Sequence, residues 1–168
     1  MIILWGVMGF FDDEDDIPWA DPAIQTDYEA ALGSFLVSFN RLENLIGDLL
    51  EESLAHLGSA DLYVAGDRLE LKLRLFETVL LAIPRMHKPN FKAAHDISGE
   101  RNTLAHGHFD QNPYSGEYQI VTQRRKRVDM PVAKIRTLAL QADRVIDDFR
   151  SCQAYLFFLD PAEFEQST

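Results

Sequence analysis

A chain of 168 residues, 46% hydrophobic and 26% charged, has the make-up of one soluble globular domain with a real core, and is too short for two comfortable ones. Its formal net charge of −11 speaks against a general nucleic-acid coat protein. The single cysteine, Cys152, rules out an internal disulfide and makes a reducing cytoplasm the expected compartment.

The apolar stretch from Met1 to Phe11 falls short of the ~18 residues a spanning helix needs. It lacks a basic start, and acids (Asp12 to Asp16) follow where a signal peptide has small residues. Residues 1–23 therefore read as an apolar and acidic tail, with an extra strand, a partner-binding segment or a start at Met8 as alternatives. No membrane association is expected.

Thr26 and Glu29 have the spacing of a capping box, in which hydroxyl and carboxylate serve each other's orphan amides. The long helix predicted behind them carries Leu32, Phe35, Phe39, Leu42, Ile46, Leu49, Ser53 and Leu57 at three- and four-residue steps and stops at Gly58. After a connection containing Asp61 and Gly66, Asp67 to Glu70 looks like a second box. Leu69, Leu71, Leu73 and Leu75 alternate as in a strand. They are, however, embedded in Glu, Lys and Arg, which favour helix, and Leu69, Leu73, Phe76, Leu80 and Ile83 also fit helix spacing. A helix ending before Pro84 is the reading taken.

A third helix is predicted over Phe91–His106, with Gly107 as its cap and Gly99 as its weak point. Turn residues Asn112 to Gly116 follow, then a strand over Glu117–Gln123 and a returning partner over Arg124–Met130. Pro131 suits the first turn of a last helix bearing Ile135, Leu138, Ala142, Val145, Phe149, Cys152 and Leu156, before Pro161. Cys152 on that face reads as a small buried hydrophobe. The expected fold class is all-α: an antiparallel four-helix-type bundle with a small β-hairpin insert before the last helix. The helical domain spans 24–160, and 161–168 form a C-terminal tail.

Polar chemistry concentrates in Arg101 to His108, where the third helix ends. The surrounding segment, Arg85 to Arg136, holds ten Lys/Arg against five Asp/Glu and is the one basic part of an acidic chain. Arginine offers a fixed fork of donors for phosphate oxygens, and histidine moves protons near neutral pH. Together, with no obvious metal cage, they suit RNA cleavage through the ribose 2′-hydroxyl, histidine handling protons and arginine stabilising the phosphorane. On an ideal helix Arg101 and His106 stand ~140° apart, whereas Asn102 and His106 share a face. Bringing the pair to one phosphate needs either an unwound last turn at Gly107 or a second copy related by a two-fold axis.

Plainer readings compete. Arg101 can simply bridge to Glu43, and His106 can cap carbonyls at the helix end. His106 and His108 with Asp110 make a weak metal pattern, so no metal is assigned. Arg124, Arg125, Lys126 and Arg127 read either as an RNA clamp or as a charged strand edge that discourages aggregation. His56, His87 and His95 show no partner and are expected at the surface.

The run Arg101, Asn102, three spacer residues, His106 resembles the signature of the HEPN superfamily (higher eukaryotes and prokaryotes nucleotide-binding domains). The resemblance extends to Phe39 and Glu43 on the long first helix, the motif on a later helix, the β-insert and the closing helix, about residues 26–159. It implies a helical homodimer with a composite cleft and, in active members, metal-independent endoribonuclease activity without cofactor, often as a toxin or defence effector with an antitoxin or regulatory protein as partner. Carried over by position, Arg101 and His106 are the catalytic pair, and Asn102 is the polar residue after the arginine. Beside the resemblance, His108 and Glu43 are read as supporting residues, and Arg124 to Arg127 as the RNA guide. Some toxins of the superfamily have a modifiable tyrosine two residues after the histidine; His108 stands there in this chain, which argues against that mode of neutralisation. Other members are non-catalytic regulators, relatives of the mannitol operon repressor among them, and that class is the alternative.

Overall fold

The computed structural model describes residues 20–62, 68–83 and 85–158. Four helices, α1 (Pro22–His56), α2 (Leu69–Val79), α3 (Phe91–His106) and α4 (Val132–Phe158), surround one core. Between α3 and α4 lie three short strands, β1 (His108–Gln111), β2 (Tyr118–Val121) and β3 (Arg127–Asp129). The expected helical bundle with a small β-insert before the last helix is found. The insert, however, is a three-stranded antiparallel meander with β2 in the middle. Residues 1–19, 63–67, Pro84 and 159–168 lie outside the description, and with them the apolar tail, Gly66, Asp67 of the second box, and Pro161.

The start of α1 differs from the expectation. Asp21, not Thr26, is the cap: its carboxylate accepts the Ala23 N–H at 2.8 Å. Pro22 occupies the first turn, where a missing N–H costs nothing. Thr26 is thereby drawn into the helix, where its hydroxyl turns back to the Pro22 carbonyl, and Glu29 accepts a bond from Gln25 instead. The capping box does not form.

The rest of α1 follows its apolar period. Phe35, Phe39, Leu42, Ile46 and Leu49 are buried, each such side chain contributing about 1.5–3 kcal/mol when removed from water. In α2 the helical reading holds. Leu69, Leu73 and Phe76 are buried while Leu71 is 53% exposed, which a half-buried strand would not produce. The helix stops at Val79, and Leu80 and Ile83 continue into the core from the following turn.

Helix direction can be read from the cross-links. Arg136 pairs with Asp27 near the starts of α4 and α1, so these two long helices begin at the same end of the bundle. Antiparallel packing runs between α3 and α4: Lys134 meets Glu100 at 3.2 Å near one end, and Asp148 meets the start of α3 near the other. Phe76, Phe91 and Phe149 bring α2, α3 and α4 together, with ring centroids 5.4–6.1 Å apart.

Two histidines expected at the bare surface instead carry carboxylate partners. His87 contacts Asp148 through Nε2 at 2.7 Å, and His95 contacts Glu70 through Nδ1 at 2.9 Å. Asp148 also accepts the Asn90 N–H at 2.6 Å, tying the start of α3 to α4. Burial pushes the Asp148 carboxyl up, but the Asn90 N–H and His87 outweigh it and hold the group below its ordinary range. Beside this latch Cys152 is fully buried, as expected; its S–H faces the His87 carbonyl at 3.4 Å, and desolvation lifts the thiol to about 12.

Two predictions follow from this packing. At Gly107 a Cβ would overlap the Ile120 side chain and come within 2.8 Å of the Thr103 carbonyl, whereas one at Gly33 would meet nothing within 4 Å. Urea unfolding should show Gly107→Ala destabilising by about 1–3 kcal/mol and Gly33→Ala stabilising by about 0.5–1 kcal/mol; equal values would remove the close junction at Gly107. For Asp148, whose folded pKa lies below an unfolded value of about 4, the stabilising contribution is present above that value and is lost as pH falls through the folded one. The stability of Asp148→Asn should therefore fall less steeply on acidification than that of the native chain, and parallel acid limbs would contradict the latch.

Candidate functional site

The motif lies where α3 hands the chain to β1. Helical hydrogen bonding runs through His106, and the Gly107 N–H closes the last turn on the Thr103 carbonyl at 3.0 Å. Gly107 itself is extended (φ −85°, ψ 155°), so the chain passes straight from helix into strand against Ile120 of β2. The last turn is therefore not unwound, and the single-chain route to an Arg101–His106 pair is closed.

Arg101 is half-buried, and its guanidinium carbon sits 5.3 Å from the centroid of the Phe39 ring on α1. A cation over an aromatic face is attracted by the ring quadrupole. One Nη donates to the Asn102 side-chain carbonyl at 3.4 Å, while Nε is buried and meets no acceptor among the described residues. Glu43, one turn beyond Phe39, is half-buried but makes no ion pair with Arg101. The plainer alternative of a bridge from Arg101 to Glu43 is not what forms; the structure sets the arginine on the ring four residues earlier. A phenyl face attracts the cation without neutralising it, so the guanidinium keeps its charge.

His106 is exposed and lies on another face of α3. With Asn102, Thr103, Gly107, Thr122, Gln123 and Arg124 it lines a groove of about 340 Å³. One wall is the helix end and the other is the β2–β3 turn. Two motif residues and one of the predicted guide arginines thus share a groove that Arg101 does not line. His108, at the start of β1, is exposed and pairs in register with Val121. Among the described residues no three His, Cys, Asp or Glu side chains gather as a metal-binding group, His106, His108 and Asp110 included.

The four basic residues occupy the turn rather than a full strand. Only Arg127 belongs to β3, and it reaches Asp110 across the sheet at 3.7 Å. Arg124, Arg125 and Lys126 are exposed and have no ion-pair partner among the described residues. Arg125 adopts a positive φ of 57°, which arginine tolerates poorly, so the turn must be held from elsewhere. Thr122 supplies the hold: its hydroxyl donates to the Lys126 carbonyl at 3.1 Å and accepts the Lys126 N–H at 3.2 Å. On its far side the same turn gives Lys126 to a wider cleft of about 1050 Å³ between α3 and α4, where His95, Asp96, Arg144 and Asp148 also lie. That cleft was not foreseen, because its walls come from segments far apart in the chain.

The chain matches no protein-family model, no curated protein and no solved structure. What the motif brings together is an arginine resting on an aromatic ring, an exposed histidine and a cationic turn beside that histidine.

Replacing Thr122 with valine keeps the shape of the side chain and deletes both hydroxyl bonds, a loss of about 1 kcal/mol locally, while the backbone bonds from Thr122 N–H to the Lys126 carbonyl and from Arg125 N–H to the Thr122 carbonyl remain. Amide exchange at Lys126, whose N–H loses its acceptor, should accelerate severalfold while amides in α1 and α4 are unaffected. Unchanged exchange at Lys126 would show that the turn is held by something else.

Proposed function

We propose that this chain is a metal-independent endoribonuclease of the HEPN type, working as a homodimer, with Arg101 and His106 as its catalytic pair. One observation carries the reading. In a chain with 27 acidic residues, the Arg101 guanidinium rests on an aromatic ring, Nε buried, with no carboxylate partner among the described residues. A guanidinium without a counter-ion keeps its full charge, and a phosphate is the anion whose geometry suits its terminal Nη donors.

In the reaction proposed, His106 takes the proton of the ribose 2′-hydroxyl and the 2′-oxygen attacks phosphorus. The bond to the 5′-oxygen breaks, and an imidazolium returns a proton to that leaving oxygen. Arg101 bonds to the non-bridging oxygens as charge accumulates on them. DNA has no 2′-hydroxyl and is not a substrate. His106 and Arg101 point away from one another on α3, so the cleft is composite: the arginine of one protomer acts with the histidine of its partner across a two-fold axis. The uncompensated turn residues Arg124, Arg125 and Lys126, with Arg127 behind them, hold the RNA backbone beside the His106 groove. A non-catalytic, mannitol-operon-repressor-like regulator is the second reading, favoured by the separation of the two motif residues within one protomer.

Purified protein is incubated with RNA in excess chelator beside Arg101→Ala and His106→Ala, all three checked for helicity and dimerisation. Cleavage by the native chain should fall at least about 100-fold in each variant. Arg124→Ala should weaken RNA binding and reduce the slope of log affinity against log salt by about 0.7, the value for one single-strand phosphate contact. A folded, dimeric native protein that cleaves no RNA is the regulator instead.

A further inference from the structure

The groove at His106 and the wider cleft between α3 and α4 adjoin. Thr103 on the helix and Thr122 at the start of the β2–β3 turn line both, and form a saddle between them. The same turn gives Arg124 to the groove and Lys126 to the cleft. At about 1050 Å³ the cleft stands at the top of the range for small-molecule sites, about 300–1,000 Å³. Its length follows from the pairing of the helices. Lys134 meets Glu100 toward the saddle, and Asp148 accepts the Asn90 N–H at the far end. These two contacts stand fourteen residues apart on α4, about 21 Å of helix. A trough of that length suits a chain better than a compact ligand.

The charge within it is sorted. Three acids line the cleft, and each is already engaged: Asp96 by Lys92 at 2.6 Å, Glu100 by Lys134 at 3.2 Å, and Asp148 by His87 at 2.7 Å as well as by the Asn90 N–H. Lys126 and Arg144 line it too, and both are exposed without an ion-pair partner among the described residues. The charge left uncompensated is therefore positive, one cation at the saddle and one ten residues along α4 from Lys134. On the α3 wall the helix is bare at Gly99, where an added Cβ would meet nothing within 4 Å, so a ligand can lie close to the backbone.

We propose that the α3–α4 cleft holds the continuation of the RNA strand beyond the His106 groove, with Lys126 and Arg144 bonding separate backbone phosphates past the saddle. Cations placed along a trough bind a polyanion through its phosphates and read no sequence. No Phe, Tyr or Trp is among the lining residues, so base stacking adds little and the backbone contacts dominate. The inference rests on the ribonuclease reading for the identity of the ligand. It deepens that reading by naming the substrate: a single strand that runs on well past the scissile phosphate.

The test is fluorescence anisotropy with labelled 2′-O-methyl oligoribonucleotides, which lack the attacking hydroxyl, of about four and about twelve nucleotides. The native protein should bind the long strand at least about tenfold more tightly than the short one. Arg144→Gln should weaken the long strand about fivefold, lower its log affinity–log salt slope by about 0.7, and leave the short strand unchanged. Gly99→Leu places a side chain in the cleft without a clash and with better helix propensity, so it should fold as the native chain does and weaken the long strand about tenfold. Equal native affinity for the two lengths, no binding at either length, or losses in the folded variants that are absent or equal at both lengths would overturn the proposal. A native chain that shows the length dependence yet cleaves no RNA removes the ribonuclease reading and leaves this site standing. One that cleaves RNA without the length dependence removes this site alone. The length comparison uses the native protein, so it stands even if a variant misfolds.

Discussion

The junction between α3 and β1 is the constraint on which the rest depends. Helix and strand meet at one glycine, because any side chain there would run into Ile120 and the preceding turn. That close approach fixes β2 against the end of α3 and so places the β2–β3 turn beside His106. Because the helix ends without unwinding, the arginine of the motif stays turned toward α1 while the histidine stays at the surface. One backbone decision thus sets the groove, the separation of the two motif residues and the position of the cationic turn.

The treatment of charge is consistent with that geometry. Some exposed acids and bases pair within one helix turn, as in Glu70 with Arg74 and Lys92 with Asp96, pairs that contribute little at a surface. Arg101 is handled differently, half out of water and balanced by a ring. The sheet itself is polarised. One end carries Arg124, Arg125 and Lys126, while Glu117 and Asp129 stand toward the other. Across only four residues of β2 the surface passes from one sign to the other.

Much of the fold was legible in the sequence, for a physical reason. Amphipathic periods persist over many residues, and a helix such as Phe91–His106, bounded by Asn90 and Gly107, carries its own signals at both ends. The start of α1 misled because Thr26 and Glu29 have the spacing of a cap while Asp21 and Pro22, just upstream, do the work. β1 was missed because its four residues contain one large apolar side chain, Phe109; it is a strand only by virtue of pairing with β2. At the site, the sequence could nominate Arg101, Asn102 and His106 but not their surroundings. The Phe39 ring under the guanidinium, the groove shared with Arg124, and the carboxylates facing His87 and His95 all arise from contacts between distant segments, and no local pattern encodes them.

Cys152 has a practical consequence. A thiol with its proton held that firmly, enclosed by α4 and the segment before α3, is nearly devoid of the nucleophilic thiolate at neutral pH. Alkylating dyes and mild oxidants should leave the native molecule alone. A spin label or fluorophore can therefore be installed through a new surface cysteine, with the resident sulfur left where it is.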